Sequence, residues 1–184
     1  MQRCDVVTLE VIRGAARAAQ AEMEALLERT AMSAFIREKK DFYTALFDRN
    51  GAMAVGSDLP IFGDIVAPVA AQFPLESMQE GDLYWYNDCY GSNGAVSHSN
   101  DQVFLAPVFF AGERIGFVMG WAHFSDIGGL RPGSLSPDAT DHFQEGIIIP
   151  PVRLVRKGQT NEDLLRSFWR NSRFPVQSQG DTRA

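Results

Sequence analysis

An α+β fold is what this sequence predicts: antiparallel hairpins form a sheet, and a helix near each end packs on it. Three observations carry the prediction. Apolar residues recur at spacings of three and four over 8–29. Two pairs of apolar runs flank short turn signals, "DRNG" (48–51) and "AGER" (111–114). A second helical stripe lies at 161–172. The first period belongs to one face of a helix, and the flanked runs belong to hairpins.

The elements follow in order. In 8–29, Leu9, Ile12, Ala16, Ala19, Met23, Leu26 and Leu27 share one helix face, read here as a core face. The same stripe also suits docking on a partner subunit. Residues 41–57, "DFYTALFDRNGAMAVGS", form the first hairpin, because Asn-Gly accepts the positive φ of tight turns. A short helix opens near Pro68 and ends before Pro74. "GDLYWYND" (81–88) is an aromatic strand that breaks at Asn87-Asp88, and 87–101 is a polar loop. "VFLAPVFF" (103–110) and "IGFVMGWAH" (115–123) make the second hairpin. Ile115, Phe117, Met119, Trp121 and His123 share one face of its second strand, and small residues share the other. Glycine and proline make 125–146 an ordered loop. "IIIPPVRLV" (147–155) returns to strand. The last helix covers 161–172, with Thr160 and Asp163 as its capping signal and Leu164, Leu165, Phe168 and Trp169 as its apolar face. Residues 174–184 read as a polar tail that caps nothing.

Composition narrows the function classes. The chain has 184 residues, 45% hydrophobic and 22% charged, enough for one domain with a real core. A net charge of −6 with scattered basic residues excludes a nucleic-acid surface. No apolar run reaches membrane-spanning length, and the N-terminus lacks a secretion signal pattern. Two cysteines without a CxxC fit a reducing cytoplasm. Neither a P-loop nor a dinucleotide fingerprint is present, so any nucleotide belongs on another chain.

The chemistry candidates are two H-x-x-D units, His98–Asp101 and His123–Asp126. Imidazole and carboxylate together suit a divalent ion such as Zn²⁺, Mn²⁺ or Fe²⁺. A four-residue turn at 111–114 places Gln102 opposite His123 and Asp101 opposite Phe124, about 5 Å apart at Cα. Both units therefore reach the same end of one hairpin. A one-residue slip changes which side chains face each other without separating the units. Asp88, ending a neighbouring strand, converges on the same region. Aspartate and asparagine also populate turns for backbone reasons, so structural roles stay open. His142 reads as a loop-shaping residue, and Cys89 has no local partner that would make it a ligand or nucleophile.

The ordered stretches "TLEVIRGA", "REKKDFYTALFDRNG", "GDLYWYNDCYGS", "HSND", "HFSDIGG", "PGSLSPDATDHFQEGIIIPPVRL" and "NEDLLRSFWRNSR" resemble the hydantoinase B/5-oxoprolinase family. The likeness runs from about Asp5 to about Arg173 and is most specific over His123–Leu154. The resemblance implies ATP-dependent opening of a cyclic amide. An A-type partner binds ATP and phosphorylates the carbonyl oxygen, and the B-type chain supports ring opening in a hetero-oligomer. It also implies a divalent metal at His123 and Asp126. His98 joins them as a further ligand candidate, and Asp101 and Asp88 are the candidate catalytic carboxylates. The chain departs from the family pattern at Cys89, where proline is usual, in the longer "GSNGAVSH" stretch, and at Ile148, where a basic residue is common. Family B subunits are several times longer, so 1–184 reads as a partial domain, the N-terminal segment of something larger. The alternatives are a subunit of the acetone/acetophenone carboxylase type and a non-catalytic assembly module.

Overall fold

The computed structural model describes residues 4–58, 63–133 and 135–184. Met1–Arg3, at the start of the chain, and Ser134, inside the predicted 125–146 loop, lie outside the described residues. Five α-helices and seven strands appear among those described. Helix α1 spans Val6–Thr30, α2 Ala34–Arg37, α3 Ala67–Gln72, α4 Glu162–Arg170 and α5 Pro175–Arg183. The strands are β1 Phe42–Asp48, β2 Met53–Gly56, β3 Leu83–Tyr86, β4 Asp101–Phe110, β5 Glu113–His123, β6 Val152–Arg156 and β7 Gln159–Thr160. They form one sheet in the order β2-β1-β5-β4-β3-β6-β7, antiparallel throughout. The predicted α+β class is the observed one. No described helix is long and apolar enough to cross a membrane.

Apolar cores cover both sheet faces. Tyr43, Tyr84, Tyr86, Leu105, Phe117 and Met119 meet Ile65, Val66 and Val69 on one face. On the other, Phe42, Trp85 and Ala122 meet Ile36 from α2 and Leu165, Phe168 and Trp169 from α4. The ring of Phe168 stands edge-on to Trp85 at 4.9 Å. The indole N–H of Trp85 donates to Gln102 Oε1 at 2.9 Å, so this buried polar atom is paired.

The central hairpin differs from the expected one in register. Its turn is two residues, Ala111 and Gly112, with φ of 50° and 81°. Positive φ at both positions is the geometry that matches strand twist in tight hairpins. Phe110 therefore pairs with Glu113 rather than Ile115. A bulge at Ile115 then moves the ladder by one, and Asp101 faces His123. An alanine in a left-handed conformation gives no signal in sequence, which is why a four-residue turn was the expectation.

Four other elements also differ from expectation. α1 forms as predicted, but only Gln20 is buried, and Leu9 and Ile12 are 52% and 57% exposed. Its first half stands clear of the sheet, so the apolar stripe is a core face only toward its C-terminal end. β6 starts at Val152 and not at Ile147, because Pro150 and Pro151 have no N–H for a ladder. Asn161, rather than Thr160, caps α4, its Oδ1 accepting from Leu164 N at 3.1 Å. The supposed polar tail is helix α5, and it does cap: Asp181, buried, accepts from the backbone N–H groups of Met32 (2.7 Å) and Ser33 (2.9 Å).

Candidate metal centre

β4 and β5 are neighbours in the middle of the sheet, and the candidate site lies where β4 begins and β5 ends. Antiparallel pairing places Asp101 directly across from His123. The turn preceding β4 returns His98 onto the same point. Three atoms converge there. His98 Nε2 lies 3.0 Å from Asp101 Oδ1 and 3.0 Å from His123 Nδ1, and His123 Nδ1 lies 3.1 Å from Asp101 Oδ1. His123 is 1% exposed, with its ring against Phe35, and Asp101 is 5% exposed. His98 is the half-buried member.

The triangle cannot be satisfied by hydrogen bonds alone. Its two nitrogens offer at most one proton each and the carboxylate oxygen offers none, so three edges share two protons. Three lone pairs serving one cation leave no such deficit. With ligand distances of about 2.1 Å, neighbouring donors of an octahedral ion lie roughly 3.0 Å apart and those of a tetrahedral ion roughly 3.4 Å. The observed edges match the octahedral spacing, and two imidazoles with one carboxylate form a facial donor set. The residues present therefore fit a divalent metal. His123 Nε2, the other nitrogen of that ring, is buried and has no hydrogen-bond partner among the described residues.

Electrostatics support the convergence. The hydrogen bond that His98 Nε2 donates to Asp101 raises the pKa of His98 above the usual imidazole value, against the opposing pull of burial. Burial pushes the Asp101 carboxyl up, but its hydrogen bonds to His123 and His98 outweigh that and hold it below the usual carboxylate range.

Two asparagines, unmarked as site residues in the sequence, fix the surrounding loops. Asn100 Nδ2 donates to the carbonyls of Phe124 (2.9 Å) and Gly133 (2.6 Å), and Phe124 N donates back to Asn100 O. Asn87, fully buried, donates to Ser99 O and Ile147 O and accepts from Ile149 N. The only sequence signal for either is its place beside a candidate carboxylate, Asp88 or Asp101.

The other predicted site residues are placed elsewhere. Asp126 was expected to share an ion with His123, but its carboxylate is turned to the far end of the chain. It pairs with Arg173 Nη1 at 2.7 Å and accepts from Arg173 N, Ser172 Oγ and Gly128 N. Asp101, expected either to ligate the ion or to act as base, stands beside the two histidine nitrogens. Asp88 Oδ1 caps a turn, accepting from the N–H groups of Tyr90 and Gly91, and lines a separate cleft. His142 opens a single 3-10 turn behind Asp141 and packs against Phe143, the tilted rings 3.9 Å apart at their centroids, in keeping with a loop-shaping role. Cys89 lies 3.5 Å from Ser99 Oγ, and burial raises its thiol pKa, which argues against a reactive thiolate.

The chain is thus an α+β protein with a two-histidine, one-carboxylate cluster at one end of its central hairpin. Comparison with known sequences gives the family: the chain belongs to the hydantoinase B/oxoprolinase family, whose model matches residues 5–184. It is 36% identical to caprolactamase subunit beta of Pseudomonas jessenii over 188 residues, covering 100% of this chain and 32% of that protein. It is 31% identical to 5-oxoprolinase 1 of Arabidopsis thaliana over 164 residues, covering 86% of this chain and 13% of that protein. The crystal structure of the ATP-dependent caprolactamase from Pseudomonas jessenii superposes with a TM-score of 0.87 at 35% identity, over 99% of this chain and 32% of that one. The chain thus spans about a third of the length of its caprolactamase relative.

Proposed function

We propose that this chain contributes the metal-holding part of a B-type component in an ATP-dependent cyclic-amide hydrolase. In this reading His98, Asp101 and His123 hold a divalent ion of the Mn, Zn or Fe kind. An A-type partner binds ATP and activates the amide carbonyl, and this chain serves the ring-opening step within the hetero-oligomer. The observation that carries the reading is the triangle of three donor atoms with edges of 3.0–3.1 Å, two of its three residues buried. Family membership and the names of the amide-hydrolysing relatives support the reaction class.

When bound, such an ion lowers the pKa of water and polarises a carbonyl or phosphoryl oxygen. The chain's own residues do the rest. Asp101 orients both imidazoles, and its charge favours their ligating geometry. Phe35 and the surrounding core keep bulk water from His123, which strengthens every electrostatic interaction inside. Asn100 and Asn87 hold the His98 turn in register with β5 and with 147–149, so the three donors are set before any ligand arrives.

Metal titration by calorimetry, with metal content read by mass spectrometry, tests the proposal. One ion per chain is expected for the wild type, with loss in His98→Ala, Asp101→Ala and His123→Ala. Equal, negligible loading of wild type and variants under saturating Mn²⁺, Zn²⁺ and Fe²⁺ refutes it.

A further inference from the structure

An open cleft of about 720 Å³ is linked through Tyr90 and Glu145 to the small cavity that His98 lines. Tyr90, His142 and Phe143 supply rings to the cleft, Ile147 and Ile148 supply an aliphatic wall, and Asp88 lies at its edge. That volume falls within the range of small-molecule sites. Phe143 is 77% exposed and Tyr90 59% exposed, so large apolar rings face solvent here among the described residues.

Glu145 stands between the cleft and the donor triangle. On the cleft side it accepts the Tyr90 hydroxyl at 2.7 Å. On the other side it lines a small cavity of about 60 Å³ together with His98, Ser99 and Asn100. The hydrogen bond to this carboxylate pushes the Tyr90 pKa up to about 12, so the phenol stays neutral and donates its proton toward Glu145. The cleft is thus adjacent to His98 across one carboxylate.

Its ionisable lining is one carboxylate, Asp88, and one imidazole, His142, which lies beside Asp141. No lysine or arginine is among the described residues that line it. The nearest guanidinium on the loop, Arg131, belongs to the small cavity beyond Glu145 and is ion-paired with Asp138. Asp88 on the wall and Glu145 behind Tyr90 make the surroundings apolar and acidic. Like charges brought together at a desolvated contact are costly, so such a cleft rejects anions and accepts neutral rings.

We propose that this cleft seats the ring of the substrate and selects uncharged cyclic amides over cyclic amides that carry a carboxylate. The proposal rests on the amide-opening reading above and sharpens it, from cyclic amides in general to simple lactams. Ile148 is the specificity-determining wall position, since a cation placed there would meet a substrate carboxylate.

Binding to the metal-free chain tests this without any contribution of a metal to carboxylate affinity. The probes are ε-caprolactam and 5-oxoprolinate, followed by chemical-shift perturbation in the full chain. Caprolactam should shift Tyr90, Ile147 and Ile148 saturably and bind at least about tenfold more tightly than 5-oxoprolinate. Ile148→Arg should raise 5-oxoprolinate affinity about tenfold, and Glu145→Gln should narrow the discrimination while keeping the Tyr90 contact. Phe143→Ala, an exposed position that leaves folding intact, should weaken caprolactam several-fold. Equal or tighter 5-oxoprolinate binding, shifts mapping away from the cleft, or no binding of either probe overturns the proposal. Metal titration of the same samples is a separate readout. Lactam binding without metal binding sinks the metal reading alone, and metal binding without lactam binding sinks this one alone.

Discussion

Asp126→Ala should unfold the protein more easily and leave the proposed metal site intact, the reverse of what H-x-x-D spacing suggests. The Asp126 side chain is fully buried, and Arg173, its ion-pair partner, is 42% exposed. Breaking a buried pair from one side costs about 3–5 kcal/mol. Arg173 can turn to water, which places the loss near the lower bound, about 3 kcal/mol. Part of that comes from Gly128 N and Arg173 N, which lose a charged acceptor. In a chain of this size, about 3 kcal/mol corresponds to a drop in Tm of roughly 6–12 °C. Asp101→Ala should behave oppositely. It removes a donor from the triangle and should weaken metal binding by at least about 100-fold, with a smaller change in the metal-free Tm. Urea and thermal unfolding of the metal-free proteins, followed by metal titration of each, measure both quantities. If Asp126→Ala keeps its Tm within about 2 °C and loses its metal as completely as Asp101→Ala, the reasoning from side-chain geometry is wrong.

Three further outcomes follow from the same structure. Asp181→Ala removes the acceptor for Met32 N and Ser33 N and should cost about 2–3 kcal/mol in urea unfolding, which a free polar tail would not. Leu9→Gln and Ile12→Gln should change the unfolding free energy by less than about 0.5 kcal/mol each, because both side chains are more than half exposed among the described residues. Metal affinity should climb with pH through the raised pKa of His98 and then level off, because the ion must displace the His98 proton. Metal-free stability should run the other way. The His98–Asp101 contribution is full below the unfolded histidine value of about 6.5 and is lost as pH rises through the higher folded value. Asp101, held below its ordinary value, contributes above about 3.9 and loses that contribution as pH falls through its folded value. Calorimetry and urea melts across pH 5 to 8, run with and without metal, separate the two trends.

The hairpins and both helices predicted near the chain ends were legible because alternation and three-four spacing are local signals. The site was legible in part for the same reason: two H-x-x-D units at the ends of paired strands must meet. Which carboxylate turns inward was not. Asp101 and Asp126 occupy equivalent motif positions, and the difference is made by Arg173, 47 residues downstream of Asp126 and reached only through the α4–α5 corner. Asn87 and Asn100 act through carbonyls of distant segments, which no spacing encodes. α5 was illegible because its composition is polar. It packs through Ser178 and Asp181 rather than through an apolar stripe. The register of the central hairpin was out by one because Ala111 adopts a positive φ that its residue type does not announce.

The bulge at Ile115 gives the central hairpin a parity. With the turn fixed at Ala111-Gly112, an unbulged ladder would set Ala122, not His123, across from Asp101. The extra residue resets the count before the ladder runs down to the cluster. Deleting Ile115 itself would therefore leave Asp101 and His123 face to face, and trimming one residue from each strand near the tip would do the same. A single insertion between Gly116 and Ala122 would turn the imidazole to the opposite side of the sheet. Length changes in this hairpin are thus harmless or ruinous according to which side of one residue they fall, much as a shift in reading frame depends on where a base is lost.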